Sequence, residues 1–159
     1  MMKALTICQP YAHLIVLPDD DDRAKRVENR NWSTSYRGQL LIHAGKSRAW
    51  LKENNQTGRD MDYDLSLDEM TFGAIVGICK LSDCVGVSPG PNGSLFHHDD
   101  AVRRRWPWLH IHQHVEGPHC FVLTECRAFD KPIPYRGAQG FFNVPDEVVA
   151  EQLKAVSYA

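Results

Sequence analysis

The chain is 159 residues long with a net charge of −2, and its 43% hydrophobic and 24% charged content is that of a globular domain, not of a protein that coats nucleic acid through bulk positive charge. No apolar run is longer than Leu14 to Leu17, far too short to cross a bilayer, and Met1-Met2-Lys3-Ala4-Leu5 lacks a secretory apolar core, so a soluble, cytoplasmic protein with no membrane contact is expected. The five cysteines are an odd number without a C-x-x-C pair, which excludes a disulfide framework or zinc ribbon and reads as small buried hydrophobes.

Leu5-Thr6-Ile7 reads as a short first strand. Gln9-Pro10 then introduces a short helix over Tyr11 to Val16, with proline at its first turn. Leu17 to Asp22 is a loop. Val27 to Arg30 and Gly38 to His43 are strands, and Leu40-Leu41-Ile42 makes the second one central. Ser47 is placed to cap a helix over Arg48 to Asn54, buried through Trp50 and Leu51. A polar loop over 55–64 follows, then a helical turn over Leu65 to Met70 in which Ser66 and Glu69 have capping-box spacing.

Phe72 to Val87 is the longest strand-like run, with glycines at 73, 77 and 86 that suggest bends. Residues 89–93 read as a loop and His98 to Arg105 as a short helix. Cys120 to Phe129 is a strand, Pro132-Ile133-Pro134 an extended turn, and Gln139 to Val144 a last strand. Asp146 to Val156 closes the chain as a helix with Val148, Val149, Leu153 and Val156 on one face. There are no internal repeats and no linker, so residues 1–159 read as one domain. Many short curved strands with few helices indicate an α+β protein built on a small barrel.

The chemistry concentrates in Lys25-Arg26-Val27-Glu28-Asn29-Arg30-Asn31-Trp32. In an extended chain Glu28, Arg30 and Trp32 share one face, while Lys25, Val27 and Asn29 share the other. Arginine forks onto phosphate or a base edge, tryptophan stacks, and a carboxylate accepts from amino groups, so the segment suits a planar anionic ligand such as a nucleotide. The competing reading is an exposed strand with a surface ion pair. Charge segregation favours the first: from Arg23 to Arg48 seven cations stand against Glu28 alone, flanked by the Asp19 to Asp22 tract.

Three blocks carry a family resemblance. They are Leu5-Thr6-Ile7-Cys8-Gln9-Pro10-Tyr11-Ala12-His13-Leu14-Ile15-Val16; Lys25 to Arg30 with Tyr36-Arg37-Gly38-Gln39-Leu40-Leu41-Ile42-His43-Ala44; and Pro132-Ile133-Pro134-Tyr135-Arg136-Gly137-Ala138-Gln139-Gly140-Phe141-Phe142-Asn143-Val144-Pro145. Through them the chain resembles the activating signal cointegrator homology (ASCH) domain, a branch of the PUA-like superfamily. Lys25, Glu28 and Arg30 fill the last three fixed positions of the family's G-x-K-x-x-E-x-R hallmark, and Arg23 stands where its glycine is expected. The resemblance implies an α+β fold with a PUA-like small β-barrel and flanking helices, a cleft near the motif, and RNA, another nucleic acid or a modified nucleoside as ligand. It implies no cofactor. Gln9, Tyr11, Lys25, Glu28, Arg30, Trp32, Lys46 and Ser47 are the candidate binding residues.

A small hydrolase acting on a modified nucleoside or RNA is the alternative, with Lys25, Glu28 and His43 as candidate catalytic groups. Some ASCH-like proteins are similar to amidohydrolases that use a lysine and a threonine three residues later. Here that position is Glu28, and a carboxylate does not replace a hydroxyl nucleophile. His43 ends an apolar strand, where a satisfied core histidine competes with a catalytic one. His110, His112 and His114 alternate and would align on a strand as zinc ligands, but Trp106-Pro107-Trp108 and Glu116-Gly117-Pro118 around them indicate a solvated loop and no metal. A third reading is a protein-interaction adaptor using Arg103-Arg104-Arg105 with Trp106 and Trp108.

Overall fold

A strand as apolar as Leu40-Leu41-Ile42 needs neighbours on both edges, and all three side chains are fully buried. The computed structural model describes residues 1–51, 53–54, 59–60, 62–89, 95–96 and 99–157. In chain order the elements are β1 (Met2–Ile7), α1 (Tyr11–Val16), β2 (Val27–Arg30), β3 (Gly38–Ala44), β4 (Glu53–Asn54), β5 (Arg59–Asp60) and β6 (Leu65–Ser66), then a 3-10 turn (Leu67–Glu69), β7 (Ala74–Gly86), β8 (Ser88–Pro89) and β9 (Leu95–Phe96). After them come α2 (Asp100–Arg105), a second 3-10 turn (Leu109–Ile111), β10 (His119–Pro134), β11 (Phe141–Val144) and α3 (Asp146–Ser157). Six strands form one mixed sheet in the order β11-β1-β3-β7-β10-β2. Among the described residues this sheet is open, where the strand pattern suggested a barrel. No described helix is long and apolar enough to cross a membrane.

The chain divides into two compact units, one of residues 1–24, 39–79 and 125–159, the other of residues 25–38 and 80–124. In the first, β1 runs parallel to β3, from Lys3 opposite Leu40 to Ile7 opposite Ala44, and antiparallel to β11. Ala4, Leu41, Ile75, Ile78, Phe129, Val144 and Val149 make its core, and Val148, Leu153 and Val156 of α3 pack on it as their spacing requires. Buried Gln152 locks α3 in place by accepting from the Lys131 N–H at 3.0 Å. A second cluster joins Leu14 of α1 to Leu65 and Met70. The turn at 67–69 has the full capping box: Ser66 Oγ accepts from Asp68 N–H, and Glu69 accepts from Ser66 N–H at 2.7 Å.

The second unit buries Val27, Val85, Val87, Leu109, Cys120 and Val122, with Val102, Trp106, Trp108 and Val115 packed around them. Asp99 caps α2 by accepting from Ala101 N–H at 2.7 Å. None of the five cysteines is in a disulfide.

Among the described residues of 48–54 no helix forms. Residues 48–51 make a turn closed by Leu51 N–H on Arg48 O, and Glu53 and Asn54 form β4, which pairs with β5. Ser47 Oγ accepts from Ala49 N–H at 3.2 Å, so it nucleates a turn and no helix follows. Trp50 is 61% exposed, not buried, while Leu51 does join the Leu14 cluster. Strand pairing outweighed a marginal local propensity. The loop expected over 89–93 lies, Pro89 apart, outside the described residues, as do His97, His98 and much of the 55–64 segment.

Gly77 shows why a glycine interrupts the β7 run. A Cβ there would lie 2.3 Å from the Arg127 carbonyl oxygen and 2.7 Å from Val16 Cγ1. We expect Gly77→Ala to destabilise the protein by about 2 kcal/mol or more, read as a lowered thermal midpoint. An unchanged midpoint would contradict this close approach.

Candidate functional site

The hallmark residues meet around one carboxylate. β2 pairs antiparallel with β10, placing Glu28 opposite Phe121 and Arg30 opposite His119. Glu28 and Arg30 therefore share a face, and Arg30 Nη2 donates to Glu28 Oε1 at 2.9 Å. Trp32 joins that face with its ring edge-on to Phe121, centroids 5.1 Å apart. Alternation within β2 accounts for Glu28 and Arg30, whereas Trp32 lies beyond the strand's end and is placed by its contact with Phe121. Lys25 precedes β2, so alternation does not govern it, and its ammonium donates to Glu28 Oε2. It belongs with Glu28, not with Val27 and Asn29.

Each Glu28 oxygen thus serves one cation. The Lys25 and Glu28 side chains are only 5% and 10% exposed, while that of Arg30 reaches 22%. The surface ion pair of the competing reading is not what the structure holds: Lys25 and Glu28 are a buried pair, which is costly to break. Lys25 and Glu28 form the foundation, and Arg30 and half-buried Trp32 present the outer chemistry.

Asn29 points the other way. Its amide donates to His114 O at 2.7 Å and its oxygen accepts from Glu116 and Gly117 N–H at 2.9 and 3.0 Å. It organises the 114–117 loop. Asp83 of β7 gathers a second charge cluster: Arg37 at 3.1 Å, Arg105 at 3.0 Å, the Trp106 indole N–H at 2.9 Å and Cys84 N–H at 2.9 Å. Burial opposes ionisation of Asp83, but these donors prevail and hold its carboxyl below the usual carboxylate range. Sequence reasoning passed over both residues. The available signal for Asp83 was an acid inside a strongly apolar strand, which demands partners.

The three histidines do not form one aligned set: the His112 and His114 rings lie side by side, centroids 5.6 Å apart, but His110 is turned away. Residues 109–111 form a 3-10 turn, His110 is exposed and His114 is buried. Among the described residues no group of three His, Cys, Asp or Glu is placed to hold a metal. Nor is the segment a solvated loop, since Leu109 and His114 are inside. The His112 ring faces Arg26 N–H through Nε2 at 3.3 Å and His114 N–H through Nδ1 at 3.2 Å. A neutral imidazole accepts at one nitrogen only, so these two donors compete for one lone pair. Trp106 and Trp108 are half-buried in the unit's core, which leaves the exposed Arg103 to Arg105 as the outer part of the proposed adaptor surface.

In the other unit, Gln9 is 1% exposed, and its amide donates to Thr71 O at 2.8 Å and accepts from His13 N–H at 2.9 Å. It anchors the start of α1, where Pro10 supplies no side-chain cap. Tyr11 packs edge-on against Tyr63, whose phenol is pushed up to about 12 by burial and by Tyr11. His43 is 2% exposed and bonds through both nitrogens, to Thr6 Oγ1 at 3.2 Å and Tyr135 O at 2.9 Å. It is a satisfied interior histidine, yet it lines a cavity with Thr6, Lys46, Tyr135 and Arg136. Ser47 is exposed.

No protein-family model matches the sequence, and no curated protein matches it. Solved structures do. The crystal structure of ASCH from Zymomonas mobilis superposes with a TM-score of 0.51 at 12% identity, covering 97% of this chain and 94% of that one. A mutant of the same Zymomonas mobilis protein aligns at a TM-score of 0.49 and 13% identity, over 96% of each chain. This chain has the ASCH fold. The ASCH resemblance seen in three blocks of sequence therefore extends to nearly the whole backbone, and the α+β class with it.

Two outcomes follow for this ASCH fold. Glu28→Gln leaves Lys25 buried without its counter-charge and is expected to cost about 3 kcal/mol of stability, measured by denaturant titration. A change below about 1 kcal/mol would mean the pair is not buried in solution. His112 is lowered to about 4 by burial, by His114 and by the Lys25 and Arg26 charges. The unfolded state, with histidine near 6.5, then binds the proton first, so stability is full above about pH 6.5 and falls as pH drops towards about 4. Half-buried His13 is lowered as well, chiefly by desolvation, and adds to the same window. Thermal melts between about pH 7 and 5 should show a shallower decline for His112→Asn than for the unmodified chain.

Proposed function

We propose that this protein binds RNA, with residues 1–159 acting as one ASCH domain and the 25–38 and 80–124 unit providing the contact surface. The observation that carries the reading is the arrangement around Glu28. A buried acid holds the Arg30 guanidinium, and Trp32 packs on Phe121, the residue opposite that acid in the β2–β10 pair, so a phosphate-binding fork and a stacking ring belong to one face. Preorganised cations lose less entropy when they engage a phosphate, and aromatic stacking tolerates any base.

Charge distribution supports the same surface. The unit holds Lys25, Arg26, Arg30, Arg37, Lys80 and Arg103 to Arg105 against Glu28, Asp83, Asp99, Asp100 and Glu116, a surplus of three positive charges in a chain whose total is −2. That is a local attraction for a polyanion, suited to a short contact. The fold likeness to the Zymomonas mobilis ASCH protein is consistent with it at the level of fold.

Arg30 is the residue to probe, because Lys25 and Glu28 are too buried to change without loss of stability. Fluorescence anisotropy with a single-stranded RNA about ten nucleotides long should give an affinity that falls with salt, and Arg30→Ala should reduce the slope of log K against log salt by about 0.7. Trp32→Ala should weaken binding by about 1–3 kcal/mol with little change in slope. Equal affinity and slope in both variants would remove this surface from consideration.

A further inference from the structure

The unit of residues 1–24, 39–79 and 125–159 holds a cavity of about 450 Å³ that the RNA reading leaves unused. Its size is within the range of small-molecule sites. We propose that it binds a small phosphomonoester, no larger than a mononucleotide, with Lys46 and Arg136 on the phosphate. This inference concerns different residues and does not rest on the RNA reading.

The site is built by register. In the parallel pair of β1 and β3, Thr6 lies opposite His43, and the two side chains meet at 3.2 Å. The Tyr135 carbonyl can only accept, so His43 Nε2 carries the hydrogen of that 2.9 Å contact. In the neutral ring Nδ1 is then an acceptor, and the Thr6 hydroxyl donates to it. The Thr6 and His43 pair is thus an ordered part of the cavity wall.

Three glycines let the backbone close around this pair. A Cβ at Gly137 would lie 2.6 Å from Thr6 Oγ1 and 2.5 Å from His43 Cε1, and one at Gly45 would lie 3.3 Å from Thr6 Cγ2. Gly73, at φ +66°, has the Lys46 stem lying over it: a Cβ there would be 2.9 Å from Lys46 Cε. Gly73 also joins the two walls, donating to Ala44 O at 2.8 Å and accepting from Tyr135 N–H at 3.1 Å. Lys46 and Arg136, one from each wall, both line the cavity.

Charge decides the size of the guest. This unit has ten Lys and Arg against fifteen Asp and Glu, a net −5. A long polyanion is repelled by such a surface, whereas a small anion needs only the two local cations.

The test is titration calorimetry of the full chain with AMP, ribose 5-phosphate, adenosine and inorganic phosphate. AMP and ribose 5-phosphate should bind saturably and adenosine about tenfold or more weaker, and Lys46→Ala and Arg136→Ala should each weaken AMP by about tenfold. Lys154→Ala, on the exposed side of α3, serves as the charge control and should bind AMP like the unmodified chain. The proposal is overturned if AMP shows no saturable binding up to about 10 mM, if adenosine binds as well as AMP, or if Lys46→Ala and Arg136→Ala bind AMP normally. Because the RNA titration reads Arg30 and Trp32, failure of one reading is distinguishable from failure of the other.

Discussion

A carboxylate removed from water must be surrounded by donors, and the unit of residues 25–38 and 80–124 places two such acids where its cations converge. Glu28 holds Lys25 and Arg30; Asp83 holds Arg37 and Arg105 together with the Trp106 indole. Four of the unit's eight lysines and arginines are thereby fixed by two buried acids. Arginine side chains ordinarily lose substantial rotamer entropy when they engage a ligand. Here folding has already imposed much of that order.

The same acids couple charge to stability. Removing the Glu28 carboxylate would strand Lys25 in a poorly solvated setting, whereas Arg37 and Arg105 around Asp83 remain open to solvent. His112, kept neutral by burial and by neighbouring cations, belongs to this logic. A further positive charge there would add to the Lys25 and Arg26 field. The histidine-rich segment thus serves packing, with Asn29 tying its backbone down from the opposite face of β2.

The unit of residues 1–24, 39–79 and 125–159 depends on a different constraint, the parallel pairing of β1 with β3. That register sets Thr6 beside His43 and brings Gly45 against Ile7 O at 2.9 Å. Close approach of Gly137 to the Thr6 and His43 pair leaves no room for a side chain, which is why Arg136-Gly137 follows the β10 strand as it does. The cavity and its polar lining are consequences of where strands end.

Much of the fold was legible in the sequence because it depends on local chemistry. Pro10 and the apolar run after it define α1; Ser66 and Glu69 form the capping box that their spacing indicates; Val148, Val149, Leu153 and Val156 give α3 its buried side. Period-two alternation correctly united Glu28 and Arg30 on one face of β2. The ASCH likeness in three blocks of residues was also readable in advance of the coordinates.

Tertiary structure decided the rest, since those outcomes depend on partners far along the chain. Whether Lys25 lies inside or outside, whether residues 48–54 coil into a helix or pair with 59–60, and whether His112 and His114 align are questions of register and chain direction, on which local spacing is silent. Asn29 and Asp83 acquired their roles from partners up to 91 residues away. Sequence by itself therefore determined most of the longer elements, α1, β7, β10 and α3 among them, and the segment in which cations gather. Long-range packing determined which of those charges are buried as a foundation and which remain at the surface, because burial is a property of neighbours that only the folded chain supplies.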